Sequence, residues 1–181
     1  MIHWARRSLE TESGNLNNIN IFMSLPPTLF IDRIPNLQFD VIKLVSEYKT
    51  MEHLLEDVTN HGNNTLVQRK FHLIKDNIRT EILETLPYTC EVIEQIFELE
   101  TFNSVNYRLI MPNTCYNWHY DVGKLCVHIP LITNVGCRFV YDTKAFSMPS
   151  DGAAYVVNNS IHHSFMNAGT ESRLHLTFEN L

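Results

Sequence analysis

The four cysteines, Cys90, Cys115, Cys126 and Cys137, form no CxxC pair. That argues against a closed zinc knuckle or a thioredoxin-like redox motif and leaves thiols that pack as small hydrophobes. No apolar stretch approaches the ~20 residues a bilayer span needs. The first residues, MIHWARRSLETESGNLNN, include basic residues but have no apolar run behind them, which is not a secretory pattern. A cytoplasmic, reducing setting is the default expectation. There is no fixed-period repeat, no low-complexity tract and no H-E-x-x-H peptidase motif. Basic residues are outnumbered, Lys plus Arg 14 against Asp plus Glu 20, for a net charge of −6. A nucleic-acid binder that relies on a broad basic face is therefore not expected.

The 181 residues amount to a single domain, long enough to bury about 70% of the unfolded surface without staples. Two textures meet near residue 103. Before it, helical patterns prevail. Leu37, Val41, Leu44, Val45 and Tyr48 share one helical face, with Pro35-Asn36 ahead as stop and N-cap. A second helix is expected over 50–58, ending in the turn-rich His61-Gly62-Asn63-Asn64. Residues 66–74 lean towards a strand. Helical spacing returns at Ile78, Ile82 and Leu83, and again at Val92, Ile93, Ile96 and Phe97. Residues 1–20 read as an arm or a cover. After 103, short β-branched and aromatic runs (105–110, 124–132, 137–142, 153–158 and 172–179) are cut by turn residues, as in an antiparallel barrel or sandwich. The expected class is α+β, with helices packed outside a β unit.

Histidine is over-represented: nine, of which five lie between 119 and 175. His119-Tyr120-Asp121 sets an imidazole and a carboxylate two residues apart, which on a strand share a face. A histidine from a distant strand would complete a 2-His-1-carboxylate set with open positions, suited to non-haem Fe(II). That histidine is sought in Ser160-Ile161-His162-His163-Ser164. Arg173, ten residues after His163, offers a fork for a carboxylate.

These residues carry a resemblance. The segments NWHYDVGKLCVHIPLITNVGCRFVYD and DGAAYVVNNSIHHSFMNAGTESRLHLTFE resemble Fe(II)- and 2-oxoglutarate-dependent dioxygenases, nearest the aspartyl/asparaginyl β-hydroxylase-like and free-proline hydroxylase branch. The resemblance implies a double-stranded β-helix, a cupin-like jelly roll with its metal at one mouth. Residues 103–181 would form that β-rich core and 1–102 a mostly helical part of the same dioxygenase domain. His119, Asp121 and His163 would bind Fe(II), with His162 a rival for the distal place. Arg173 would pair with the distal carboxylate of 2-oxoglutarate, and His128 would contact the co-substrate or only pack. Cys126 stands where some members carry arginine. Asp121 is absent from the β-hydroxylases proper and draws the reading towards amino-acid hydroxylases. O₂ would be consumed, with succinate and CO₂ as co-products of hydroxylating an amino acid or a protein Asp, Asn or Pro side chain.

Arg138, Lys124 and Arg108 are either substrate-binding cations or strand-surface charges. Trp118, Tyr116 and Tyr120 either line an entrance or pack. The competing readings are a non-catalytic cupin-like metal- or ligand-binding module and a nucleic-acid dealkylase; the acidic balance weighs against the latter. A small-molecule or peptide substrate is expected, and neither nucleic acid nor membrane as a partner.

Overall fold

The computed structural model describes residues 30–59, 66–121 and 125–180. Two antiparallel sheets face each other. The larger runs in the order β1 (Ile31–Gln38), β10 (Ala153–Asn158), β7 (Leu125–Ile132), β12 (Arg173–Glu179), β5 (Ser104–Ile110), β3 (Leu66–Lys75), β2 (Glu56–Thr59), with β4 (Ile78–Arg79) paired to β3. The smaller runs β6 (Thr114–Cys115), β11 (His163–Asn167), β8 (Cys137–Tyr141), β9 (Lys144–Phe146). From β5 onward the chain crosses repeatedly between sheets, which is the jelly-roll winding the strand spacing leads one to expect.

The side-chain period of two explains the layering. On β12, Leu174, Leu176 and Phe178 point outward into the main core, while Arg173, His175, Thr177 and Glu179 point inward and line a cavity. β5 repeats the pattern, with Val105 and Tyr107 outward and Arg108 and Ile110 inward. The outward face is sealed by α1 (Val41–Met51) and α3 (Pro87–Phe97) through Leu44, Tyr48, Val92, Ile93 and Ile96. Leu176→Ala would cost about 2–5 kcal/mol. A second core between the sheets contains Ile110, Phe139, Tyr141, Val157 and Phe165. The two helices are tied end to side. The Glu47 carboxylate of α1 accepts from the Tyr88 and Thr89 amides, capping the start of α3 (2.8 Å each).

The residues before 103 depart from the helical reading in three places. The N-cap of α1 is Asp40, whose carboxylate accepts from the Ile42 and Lys43 amides, not Asn36. Pro35 and Asn36 lie in β1, an edge strand; Asn36 takes φ 62° where the pairing to β10 shifts register. An edge tolerates proline because the missing N–H faces no partner. Residues 50–58 do not continue as a helix. After α1 a 3-10 turn (Glu52–Leu54) leads into β2, which pairs with β3 and sets Asp57 against Arg69 at 2.7 Å. Ile78 belongs to β4, and the helix at Ile82 and Leu83, α2 (Glu81–Glu84), is a single turn. Cross-strand pairing overrode local pattern in each case. The strand over 66–74 and the helix around Val92 are as expected. The arm and the turn at 61–64 lie outside the described residues. Gly152 enters β10 at φ +86°, and its carbonyl accepts from the Phe39 amide (2.8 Å), closing β1 onto the sheet. Among the described residues, no helix is long and apolar enough to cross a membrane.

Candidate metal centre

The segment after β6 runs alongside β11. The Tyr116 amide donates to the Phe165 carbonyl (2.8 Å), and His119 and His163 pair backbone to backbone. The His119 amide donates to the His163 carbonyl at 3.0 Å, and the His163 amide donates back at 2.8 Å. This isolated bridge sets the imidazole centroids 4.4 Å apart. His119-Tyr120-Asp121 is therefore held by single bridges and not by a regular strand, yet one potential ligand atom from each of His119, Asp121 and His163 lies within 4.8 Å of the others.

The rings are already oriented. His119 Nδ1 sits 2.7 Å from the Asn117 carbonyl and His163 Nδ1 2.9 Å from the Ile161 carbonyl. A carbonyl only accepts, so each Nδ1 carries a proton, and in the neutral tautomer this sets, the lone pair is on Nε2. Burial, more than any neighbouring charge, holds the His163 pKa below the usual histidine value and keeps the ring neutral. Asp121 is steadied by Asn159: the Asp121 amide donates to the Asn159 carbonyl (2.8 Å), and Asn159 Nδ2 donates to Asp121 Oδ2 (3.4 Å) and to Cys126 Sγ (3.1 Å). His162 is exposed and turns to Tyr120, ring centroids 4.7 Å apart. Of the two adjacent histidines, His163 is the one brought to Asp121 and His119.

Behind this group lies the cavity. Arg173 is buried, its guanidinium carbon 3.9 Å from the Phe165 ring centroid. Among the described residues it forms no ion pair, and its Nε has no hydrogen-bond partner. Burial lowers its pKa to about 9. Its Nη2 is 3.1 Å from His175 Nδ1, and His128 Nδ1 is 3.1 Å from that same nitrogen. Guanidinium only donates, so His175 Nδ1 must accept; His128 Nδ1 then carries its proton and donates, and the proton of His175 sits on Nε2. His175 must be neutral for this. Burial first, and the Arg173 charge second, hold both pKa values well below the histidine norm. The His175 Nε2–H is buried without a partner. The cavity thus offers an unneutralised cation and, beside it, a free donor.

The structure divides the other candidates. His128 lines the cavity and supports His175. Arg108 is not a surface charge: it lines the cavity and pairs with Glu179 at 2.7 Å. Burial opposes its charge, but the Glu179 carboxylate overcomes that and raises its pKa above the ordinary value. Arg138, on β8, donates to the Cys137 carbonyl (2.8 Å) and is not among the cavity-lining residues. Lys124 lies outside the described residues. Tyr116 lines the cavity with a buried, unpartnered hydroxyl, whereas Trp118 and Tyr120 are about half exposed near the histidine pair. The sequence alone assigned no role to His175 and did not single out Glu179, Asn159 or Gln68. The first two share Arg173's face by simple alternation, R-x-H-x-T-x-E, which is the signal that was available.

A family model described as aspartyl/asparaginyl beta-hydroxylase matches residues 40–180. No curated protein sequence matches. Among solved structures, the fold is similar to a 2-oxoglutarate–Fe(II) oxygenase family oxidoreductase from Burkholderia pseudomallei (14% identity, 83% of this chain and 84% of that one, TM-score 0.57). It is also similar to a prolyl hydroxylase from Trichoplax adhaerens in complex with a hypoxia inducible factor peptide fragment (10%, 84% and 83%, TM-score 0.59). A third is a Streptomyces hygroscopicus protein with nickel and 2-oxoglutarate bound (11%, 92% and 87%, TM-score 0.56). At these identities the likeness is one of fold.

Proposed function

The chain belongs to the aspartyl/asparaginyl beta-hydroxylase family and is an oxidoreductase, and on that premise we propose that it is an Fe(II)- and 2-oxoglutarate-dependent dioxygenase that hydroxylates an amino acid or a protein Asp, Asn or Pro side chain. The observation that carries this reading is the pairing of two unsatisfied features in one cavity: a His119–Asp121–His163 group with both Nε2 lone pairs available, and a buried Arg173 with no anion.

The residues fit the cofactors the family implies. Two neutral imidazoles and one carboxylate are the donor set of non-haem Fe(II) oxygenases. A buried guanidinium without a counter-ion is costly unless a ligand supplies one, and a dicarboxylate does. When bound, iron and 2-oxoglutarate supply the oxidative chemistry: O₂ splits the co-substrate into succinate and CO₂ and one oxygen atom enters a substrate C–H bond. The protein's share is placement. Arg173 would grip the distal carboxylate, with the Phe165 ring beneath it and His175 Nε2–H as a further donor. His128 keeps His175 in the tautomer that leaves this donor free. Asn159 fixes the Asp121 carboxylate, and the apolar wall of Phe139, Phe165 and Ile110 keeps bulk water out.

Calorimetric titration of 2-oxoglutarate into protein loaded with Zn(II), which holds the site without redox turnover, tests the assignment. Arg173→Met should weaken 2-oxoglutarate by roughly 10- to 150-fold, the worth of hydrogen bonds to a charged group, and leave zinc affinity unchanged. Equal 2-oxoglutarate affinity in the variant would remove Arg173 from the co-substrate site.

A further inference from the structure

Iron and co-substrate, on the reading above, use His119, Asp121, His163 and Arg173. A second set of charges in the same cavity is left without a task. Arg108 Nη2 and Glu179 Oε2 lie 2.7 Å apart, and both side chains line the cavity. As a structural device the pair is a poor choice, because apolar side chains of the same volume hold two strands together as well or better.

Its position is informative. Along β12 the inward residues are Arg173, His175, Thr177 and Glu179. Phe178 stands opposite Val127, so Glu179 lies at the Cys126 end of β7. Cys126 is joined through Asn159 to Asp121. Glu179 therefore sits at the end of the strand that adjoins the metal group, and Arg173 at the opposite end, about 20 Å of strand away.

The charges narrow the ligand. Among the described residues that line the cavity, the carboxylates and guanidinium groups are Asp121, Glu179, Arg108 and Arg173. With Asp121 given to metal and Arg173 to the co-substrate's distal carboxylate, one positive and one negative group remain. An anionic substrate meets Glu179, a cationic one meets Arg108, and an uncharged peptide segment would cover both without answering either. A ligand with one carboxylate and one ammonium matches both and keeps the cavity neutral. Unpartnered buried atoms match its carboxylate as well: Arg108 Nε and the Tyr116 hydroxyl can each donate to it.

We propose that Arg108 and Glu179 are specificity residues that select a zwitterionic substrate, a free α-amino acid, with Arg108 receiving the carboxylate and Glu179 the ammonium. This rests on the dioxygenase reading of the same cavity.

The test uses full-length protein loaded with Zn(II) and 2-oxoglutarate. Each free L-amino acid, its N-acetyl form and its C-terminal amide are titrated by calorimetry. At least one free amino acid should bind, and blocking either of its ends should weaken it by roughly 10- to 100-fold. The paired variant Arg108→Met/Glu179→Met, which leaves no lone buried charge, should lose the amino acid by a similar factor and keep 2-oxoglutarate within a few-fold. The proposal is overturned if no free amino acid binds wild type that binds 2-oxoglutarate, or if blocked forms bind as tightly as free ones. Loss of 2-oxoglutarate in the paired variant also overturns it, by giving Arg108 to the co-substrate. If that variant does not fold, the blocked-ligand comparison on wild type decides alone. Wild type that binds no 2-oxoglutarate would instead sink the dioxygenase reading, and amino-acid titration without co-substrate would still decide the role of the pair.

Discussion

His119 and His163 each donate a backbone N–H to the other's carbonyl, at 3.0 and 2.8 Å. Two side chains 44 positions apart in the chain are thereby held ring to ring, with both Nδ1 protons engaged by carbonyls. Backbone hydrogen bonds set this spacing, so loss of a ring removes a ligand and leaves the bridge in place. His119→Ala and His163→Ala should each weaken Zn(II) or Fe(II) binding by about 100-fold or more, on the scale of the energy a directed metal–ligand contact contributes. His162→Ala should leave it within about twofold, because that ring faces Tyr120. Metal titration of the three variants checks this; a loss in His162→Ala matching that in His163→Ala would reverse the assignment.

Asn159 acts through Asp121 and not on the metal. It donates to the carboxylate and to Cys126 and accepts the Asp121 amide. Asn159→Ala should lower metal affinity by about 10- to 100-fold, the usual effect of removing a group that orients a ligand. The circular dichroism spectrum should be unchanged. Unaltered metal affinity would show that Asp121 needs no such support.

Arg173 is the residue where function works against stability. A buried cation without a counter-ion destabilises the ligand-free chain. Arg173→Met should therefore raise the unfolding free energy of the ligand-free protein by about 1–3 kcal/mol while reducing stabilisation by 2-oxoglutarate in line with its weakened binding. Urea unfolding with and without 2-oxoglutarate reads both. A variant less stable than wild type in the absence of ligand would show that Arg173 is a structural residue.

His128 and His175 fix a pH dependence. Both are buried and neutral, with pKa values pushed well below normal by burial and then by Arg173. The unfolded chain binds protons on these rings near pH 6.5 and the folded chain does not. Stability is then complete above about pH 6.5 and falls as pH drops below it, by at most about 1.4 kcal/mol per pH unit for each ring. Urea midpoints at pH 7.5, 6.5 and 5.5 should fall across the last interval. Midpoints that stay level from 6.5 to 5.5 would mean the rings are not held neutral.

The β-rich half was legible because its information is local. Alternation fixes which residues of β5, β7 and β12 face inward, and turn residues mark where each strand stops. The metal group was legible because His119 and Asp121 are close in sequence and the fold's winding dictates which distant strand must meet them. What escaped depends on pairing across long separations. β1 joins β10 more than a hundred residues away, so the Pro35-Asn36 segment looked like a helix start until its partner was known. Arg108 could not be told apart from a surface charge because its carboxylate, Glu179, is 71 residues distant. Asn159 carried no role of its own in the sequence: it takes one only once Asp121 and Cys126 are beside it.

The central claim is that this cavity couples metal and 2-oxoglutarate to oxidation of a substrate. Succinate formation with Fe(II), 2-oxoglutarate and O₂, measured across free amino acids and short Asp-, Asn- and Pro-containing peptides, addresses it most directly. The account predicts that at least one of these stimulates succinate release, and that the stimulation disappears in His163→Ala. Full turnover in His163→Ala would contradict it.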